Sequence, residues 1–211
     1  MEWPLVGIIL TNFLTLGASN LAACIRIVAL QGILLSLLPI LERGSLSDFH
    51  TLSLFFITVS IKALAIPFLL TRSLHQARIK KEVEPMVSLH FSLLTGGAIV
   101  VLSFFVSNIL DLETPFSSII IPVALSTVLT GFFLLISRTK AITQVIGFLI
   151  LDNGVFLFGT TLISDFPLTV EMGILLDLWV GVFVMGIMIH HINRTFNHID
   201  TRVLSTLKDT E

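Results

Sequence analysis

The feature that most constrains this chain is a series of apolar runs recurring from one end to the other. Several reach the roughly 20 residues a helix needs to cross a hydrocarbon core about 30 Å thick. Such a core offers no water to bond backbone polar groups, so runs of this length are expected to fold as helices packed side by side. The composition agrees: 55% of the 211 residues are hydrophobic and 12% are charged, with a mean hydropathy of +1.00, far from the balance of a soluble domain. The expected fold is therefore all-α, a polytopic transmembrane helix bundle with no soluble domain between its spans. The first stretch, MEWPLVGIIL, lacks the basic start and small-residue cleavage site of a secretory signal and reads as a retained span.

Apolar runs closed by charges or turn residues give about seven spans, at 5–22, 25–41, 51–71, 87–109, 116–137, 141–163 and 168–192. Arg26, the group Arg72, Arg78, Lys80 and Lys81, the pair Arg138 and Lys140, and then Arg194, Arg202 and Lys208 fall in alternate connections. By the excess of Lys and Arg in cytoplasmic loops, those connections face the cytoplasm. Acids dominate the other set, with Arg43 the exception. The N-terminus is then outside and the C-terminus inside. The bundle occupies 1–193, and 194–211 forms a polar tail in which Phe196, Ile199, Val203 and Leu207 recur at helical spacing, as in an amphipathic segment on the cytoplasmic surface. A solvated tail that merely ends the last helix fits the same residues.

Three ionisable residues lie near the middle of spans: Lys62, Asp152 and Asp177. Each costs about 2.5 to 3.5 kcal/mol at a helix centre on insertion scales, so three left unpaired would cost on the order of 8 to 10 kcal/mol. They are expected to face the bundle interior or a wet cavity, to pair, or to become neutral. Gly173, Asp177 and Gly181 recur every four residues and share one face. Asp152 is followed by Asn153 and Gly154 and flanked one turn away by Phe148 and Phe156, which would enclose the carboxylate. Lys62 precedes Pro67, whose ring leaves the carbonyl of Ala63 without its helical donor and loosens the backbone near the ammonium. Interhelical glue is the plainer use of such groups, at about 0.6 kcal/mol per hydrogen bond, too little to offset three buried charges. Proton-pathway candidates are thus Asp152, Asp177, Lys62 and Asn153. Glu171, near the outer mouth, and His90, near the cytoplasmic end of the fourth span, are secondary; Thr95, Gly96 and Gly97 lie deeper in that span and read as a close-packing contact. His190 and His191 close the last span as a C-terminal cap.

The single cysteine, Cys24, excludes an internal disulfide or an iron–sulfur cluster held by this chain alone. There is no Walker A loop, GxGxxG, HExxH or nucleophile elbow, so bond chemistry, a catalytic residue, a metal and a cofactor on this chain are not expected.

The stretch QVIGFLILDNGVFLFGTTLISDFPLTVEMGILLDLWVGVFVMGIMIHHINRTFNHIDTRVLSTLKD, with IRIVALQGILLSLLPIL and SIKALAIPFLL before it, resembles component E of hydrogenase-4. That family supplies a membrane subunit of proton-linked nickel–iron hydrogenase and formate hydrogenlyase complexes. Its last three spans are similar to the small K subunit of NADH:quinone oxidoreductase and the small C subunit of multisubunit sodium/proton antiporters. Here 141–193 resembles the last two spans of the K-type subunit. The acid of the family's ENG stretch falls on Asp152, and the acids of its ELGVLLD segment on Glu171 and Asp177. Laid on Gly147 and Asn153, the K-subunit pattern puts Leu149 where that subunit has Glu, so the carboxylate here stands about one turn away on a similar face. The resemblance implies a non-catalytic subunit in a bacterial or archaeal plasma (inner) membrane. Its partners would be antiporter-like membrane subunits and a peripheral hydrogenase arm that carries the nickel–iron centre and iron–sulfur clusters, with no nucleic acid involved. A subunit of a cation/proton antiporter, or a structural scaffold in such a complex, are the alternatives.

Overall fold

The computed structural model describes residues 2–43, 55–56, 58–76, 87–110 and 118–162, with Gly173 and Gly186 beyond them. Every regular element among the described residues is helical. They are α1 (Trp3–Gly17), α2 (Leu21–Arg43), a π-helical segment (Ser60–Ala65), α3 (Ile66–Gln76), α4 (Leu89–Leu110), α5 (Ile120–Ser137) and α6 (Ala141–Leu162). Four stretches are long and apolar enough to cross a membrane: Leu21–Leu38, Leu89–Leu110, Ile120–Ser137 and Ile142–Gly159. They lie in the second, fourth, fifth and sixth expected spans. At 15 residues, α1 is shorter. The seventh expected span, 168–192, the loops around it and the tail lie outside the described residues, apart from Gly173 and Gly186.

The first boundary differs from the expectation. The sequence reading ran one span to residue 22 and opened the next at 25, whereas α1 ends at Gly17 and α2 begins at Leu21. Asn20 sets this break, because its side-chain carbonyl accepts a hydrogen bond from the Ala22 N–H at 2.9 Å, as an N-capping residue does. Arg26 therefore lies on the exposed surface inside α2 rather than in the connection. Around Pro67 the backbone widens as well as loosens. The Ile66 N–H bonds to Ile61, five residues back, and Lys62 sits within the resulting π-helical segment. That segment approaches α2 at Gly32, where a Cβ would lie 2.9 Å from the Lys62 Cβ.

The most extensive packing is between α5 and α6, joined by the short turn 138–140. Their backbones approach closely, because a Cβ on Gly131 would come within 2.5 Å of the Leu151 nitrogen and one on Gly154 within 2.6 Å of the Val128 nitrogen. Small residues permit such contact between apolar helices. The hairpin of α1 and α2 closes against this pair, and α2 also carries the π-helical segment and α3. On the outside, α4 packs on α1 and α5. It buries Ser92, Gly96 and Ser103 and exposes Leu94, Val101, Phe105 and Ile109, an inside-out distribution suited to an apolar surrounding. Of the triplet Thr95, Gly96 and Gly97 read as a close-packing contact, Gly96 faces Leu16 and Phe13, while Gly97 has open space beside it.

The buried apolar side chains form two clusters. One holds Leu16, Leu21, Val28, Leu134, Ile142 and Ile150 with their neighbours; the other holds Leu5, Ile8, Leu35, Ile120, Ala124 and Phe156 with theirs. The first lies beside the two short turns, 18–20 and 138–140. These turns meet where the Arg138 guanidinium, 4% exposed, donates to the Leu16 carbonyl at 3.2 Å. A cation is favourable at that helix C-terminus. Burial pushes the guanidinium below its ordinary value, a shift that leaves an arginine charged.

Candidate functional site: a buried ion pair on a line of amides

Between the two apolar clusters runs a polar layer. On each of the four helices a polar residue separates a member of one cluster from a member of the other: Asn12 between Ile8 and Leu16, Gln31 between Val28 and Leu35, Thr127 between Ala124 and Leu134, and Asp152 with Asn153 between Ile150 and Phe156. Gln31 is ten residues beyond Leu21, Thr127 ten before Ser137 and Asn153 twelve beyond Ala141. At 1.5 Å per residue, all three lie about 15 to 18 Å from the side where the short turns meet. Asn12, five residues before Gly17, lies only about 8 Å from that side, so the layer has a similar depth on α2, α5 and α6 and meets α1 nearer the turns.

Lys62 and Asp152 anchor it. The ammonium donates to Asp152 Oδ2 at 2.5 Å and to Asn153 Oδ1 at 3.2 Å, and it lies 5.4 Å from the centroid of the Phe156 ring, within cation–π range. Asp152 is fully buried and Lys62 is 5% exposed. The second carboxylate oxygen, Asp152 Oδ1, meets no hydrogen-bond donor among the described residues. From Asn153 the line continues: its Nδ2 donates to Gln31 Oε1 at 3.1 Å, Gln31 Nε2 to Asn12 Oδ1 at 2.8 Å, and Asn12 Nδ2 to Thr127 Oγ1 at 2.9 Å. The Thr127 hydroxyl donates to the Val123 carbonyl at 2.8 Å. Six buried side chains from α1, α2, the π-helical segment, α5 and α6 are thereby joined in one series.

The expected site residues divide accordingly. Lys62, Asp152 and Asn153 come together in direct contact, with Phe156 enclosing them. His90 lies exposed in the first turn of α4, apart from the layer. Asp177 and Glu171 lie outside the described residues. Gly173 is described, and a Cβ there would come 2.9 Å from the Phe156 ring. Sequence reasoning missed Asn12, Gln31 and Thr127. The available signal was a lone amide in the interior of each of two apolar helices, TNF and LQG, and Thr127 carried none among the many hydroxyls. Among the described residues no three His, Cys, Asp or Glu side chains gather as metal ligands.

Gln31 is the central link, and its replacement by Leu orphans both Asn12 Oδ1 and Asn153 Nδ2. At about 1 to 3 kcal/mol per buried unsatisfied group, Gln31→Leu is expected to lower stability by about 2 to 6 kcal/mol in denaturant unfolding of the detergent-solubilised chain. An unchanged unfolding midpoint would show that the two amides find other partners.

Long apolar helices closed around a buried ion pair define the chain as a helical bundle of a kind able to cross a membrane. It belongs to the family of the uncharacterized protein Rv0085 of Mycobacterium tuberculosis, with which it is 30% identical over 205 residues, covering 96% of this chain and 93% of that protein. No family model and no solved structure matches the chain.

Proposed function

We propose that this chain is a non-catalytic, multi-pass membrane subunit of a proton-linked nickel–iron hydrogenase or formate hydrogenlyase-type complex, in which its buried carboxylate and lysine take part in proton translocation or charge coupling. The observation that carries this reading is the Lys62–Asp152 pair, buried in the bundle with one carboxylate oxygen unengaged among the described residues. Intramembrane ionisable groups are costly and belong most often to ion paths. A lysine and a carboxylate in contact can pass between an ionised and a neutral pair by moving one proton, with no change in net charge. The unengaged oxygen gives that proton, or one arriving from a neighbouring group, a place to bind.

In this reading the seven spans place the N-terminus outside and the C-terminus in the cytoplasm of a bacterial or archaeal cell. Asp177 adds a second carboxylate to the path, with Glu171 and His90 at its margins. Antiporter-like subunits continue the path, and a peripheral arm holds the nickel–iron and iron–sulfur centres. Mild-detergent purification from the native membrane, with identification of the accompanying chains and assay of nickel and iron, tests the assembly. Antiporter-like subunits without metal would move the chain to a cation/proton antiporter. The Asp152→Asn variant tests the chemistry: proton coupling is expected to fall severalfold while the complex still assembles. Normal coupling in that variant would leave Asp152 a scaffold residue.

A further inference from the structure

The direction of the amide line is set by Lys62. An ammonium has only donors, so Asn153 must turn its carbonyl oxygen towards Nζ. Its NH₂ then faces Gln31, which must present Oε1. Gln31 in turn donates to Asn12 and Asn12 to Thr127. All three amides point their carbonyls towards the charge and their NH₂ groups away from it, and the line ends on a side chain that can work in either sense. The Thr127 hydroxyl accepts from Asn12 and donates to the Val123 carbonyl, yet a hydroxyl can rotate to donate where it had accepted.

We infer that Asn153, Gln31, Asn12 and Thr127 form a two-state relay that reports the charge of Lys62 to the interface of α1 and α5. When Lys62 gives its proton to Asp152 and the proton rests on Oδ1, the amine keeps an N–H on Oδ2 and its one lone pair is left for Asn153, which can turn to donate to it. That turn leaves Gln31 facing a carbonyl oxygen, so Gln31 turns too, then Asn12. Thr127 finally rotates its hydroxyl from Val123 to Asn12 Oδ1. No atom is transferred beyond the one proton between Lys62 and Asp152. Each state satisfies every link, whereas a mixed state sets two carbonyls or two NH₂ groups face to face. Hydrogen-bond chains also polarise one another, by about 10 to 30% per bond. Asp152 on α6 is the ionisable group that the described residues set against Lys62, while α2 meets it with Gly32 and, through Asn153, Gln31. The inference rests on the proposed function only in requiring that Lys62 change its protonation.

The test is solid-state NMR of the full chain, in lipid with its native partners, carrying ¹⁵N in the Asn and Gln side chains and titrated to alkaline pH, where loss of the pair's proton to solvent leaves Lys62 neutral. The Asn153, Gln31 and Asn12 amide signals are expected to move together with one midpoint, and to show no transition in Lys62→Met. Thr127→Ser is expected to keep the joint transition, and Thr127→Val to detach Asn12 from it. Movement of Asn153 alone, or of none of the three, overturns the relay, as does an unaltered joint transition in Thr127→Val. Lost coupling in Asp152→Asn with immobile amides would leave the proposed function standing and remove the relay.

Discussion

Lys62→Met and Asp152→Leu are each expected to destabilise the protein by about 3 to 5 kcal/mol, and the double replacement to recover most of that loss. Each single change leaves the other charge buried, with the apolar Phe156 ring beside it. Removing both eliminates the desolvation cost along with the attraction, and an apolar pair of similar volume fills the same space. Unfolding of the four proteins of the cycle in one detergent gives the coupling energy directly. Additive losses would mean that the two groups do not depend on each other. The double variant also separates structure from chemistry, because it restores the packing and has no proton to move. A complex that assembled around it and still coupled protons would exclude Lys62 and Asp152 from the path.

The second large effect is expected at the seam of α5 and α6. In Gly131→Val the new Cβ would meet the Leu151 nitrogen at 2.5 Å and its Cα at 2.7 Å. Backbone atoms in the middle of a helix cannot rotate away as a side-chain end can, so the helices must separate. A loss of about 3 kcal/mol, at the upper end for an overpacked core, is expected in the same unfolding measurement. Gly97→Ala is the contrasting case: nothing lies within 4 Å of its added methyl, and helix propensity favours Ala by up to about 1 kcal/mol. Equal effects at the two positions would contradict the packing described for α5 and α6. Because Thr127 and Asp152 sit on these two helices, parting them also disturbs both ends of the polar line.

How much of this was legible in the sequence differs between elements. The apolar runs located α4, α5 and α6 to within about four residues, since a long apolar helix is defined by composition. The break between α1 and α2 was misplaced by several residues because the apolar runs on its two sides nearly touch, and only the short polar step Ser19–Asn20, where Asn20 makes the cap, marks it. Asp152 and Lys62 were visible because a charge in an apolar run is costly wherever the helix lies. Their pairing was not, since 90 residues separate them and no spacing rule connects different helices. Asn12 and Gln31 were harder still. A single amide is cheap enough to be tolerated for many reasons, and its meaning appears only when packing aligns it with others.

Gln31, Thr127, Asp152 and Asn153 sit at similar depth, with an apolar cluster on either side along the helices. In a membrane crossed by those helices, a voltage acts along their axes, at about 2.3 kcal/mol per charge for each 100 mV over a full crossing. A charge displaced from Asp152 towards Thr127 travels across the axes and intercepts almost none of that drop. Between its two ends the line runs electrically sideways, so a net displacement from Asp152 to Thr127 does little work against the membrane voltage.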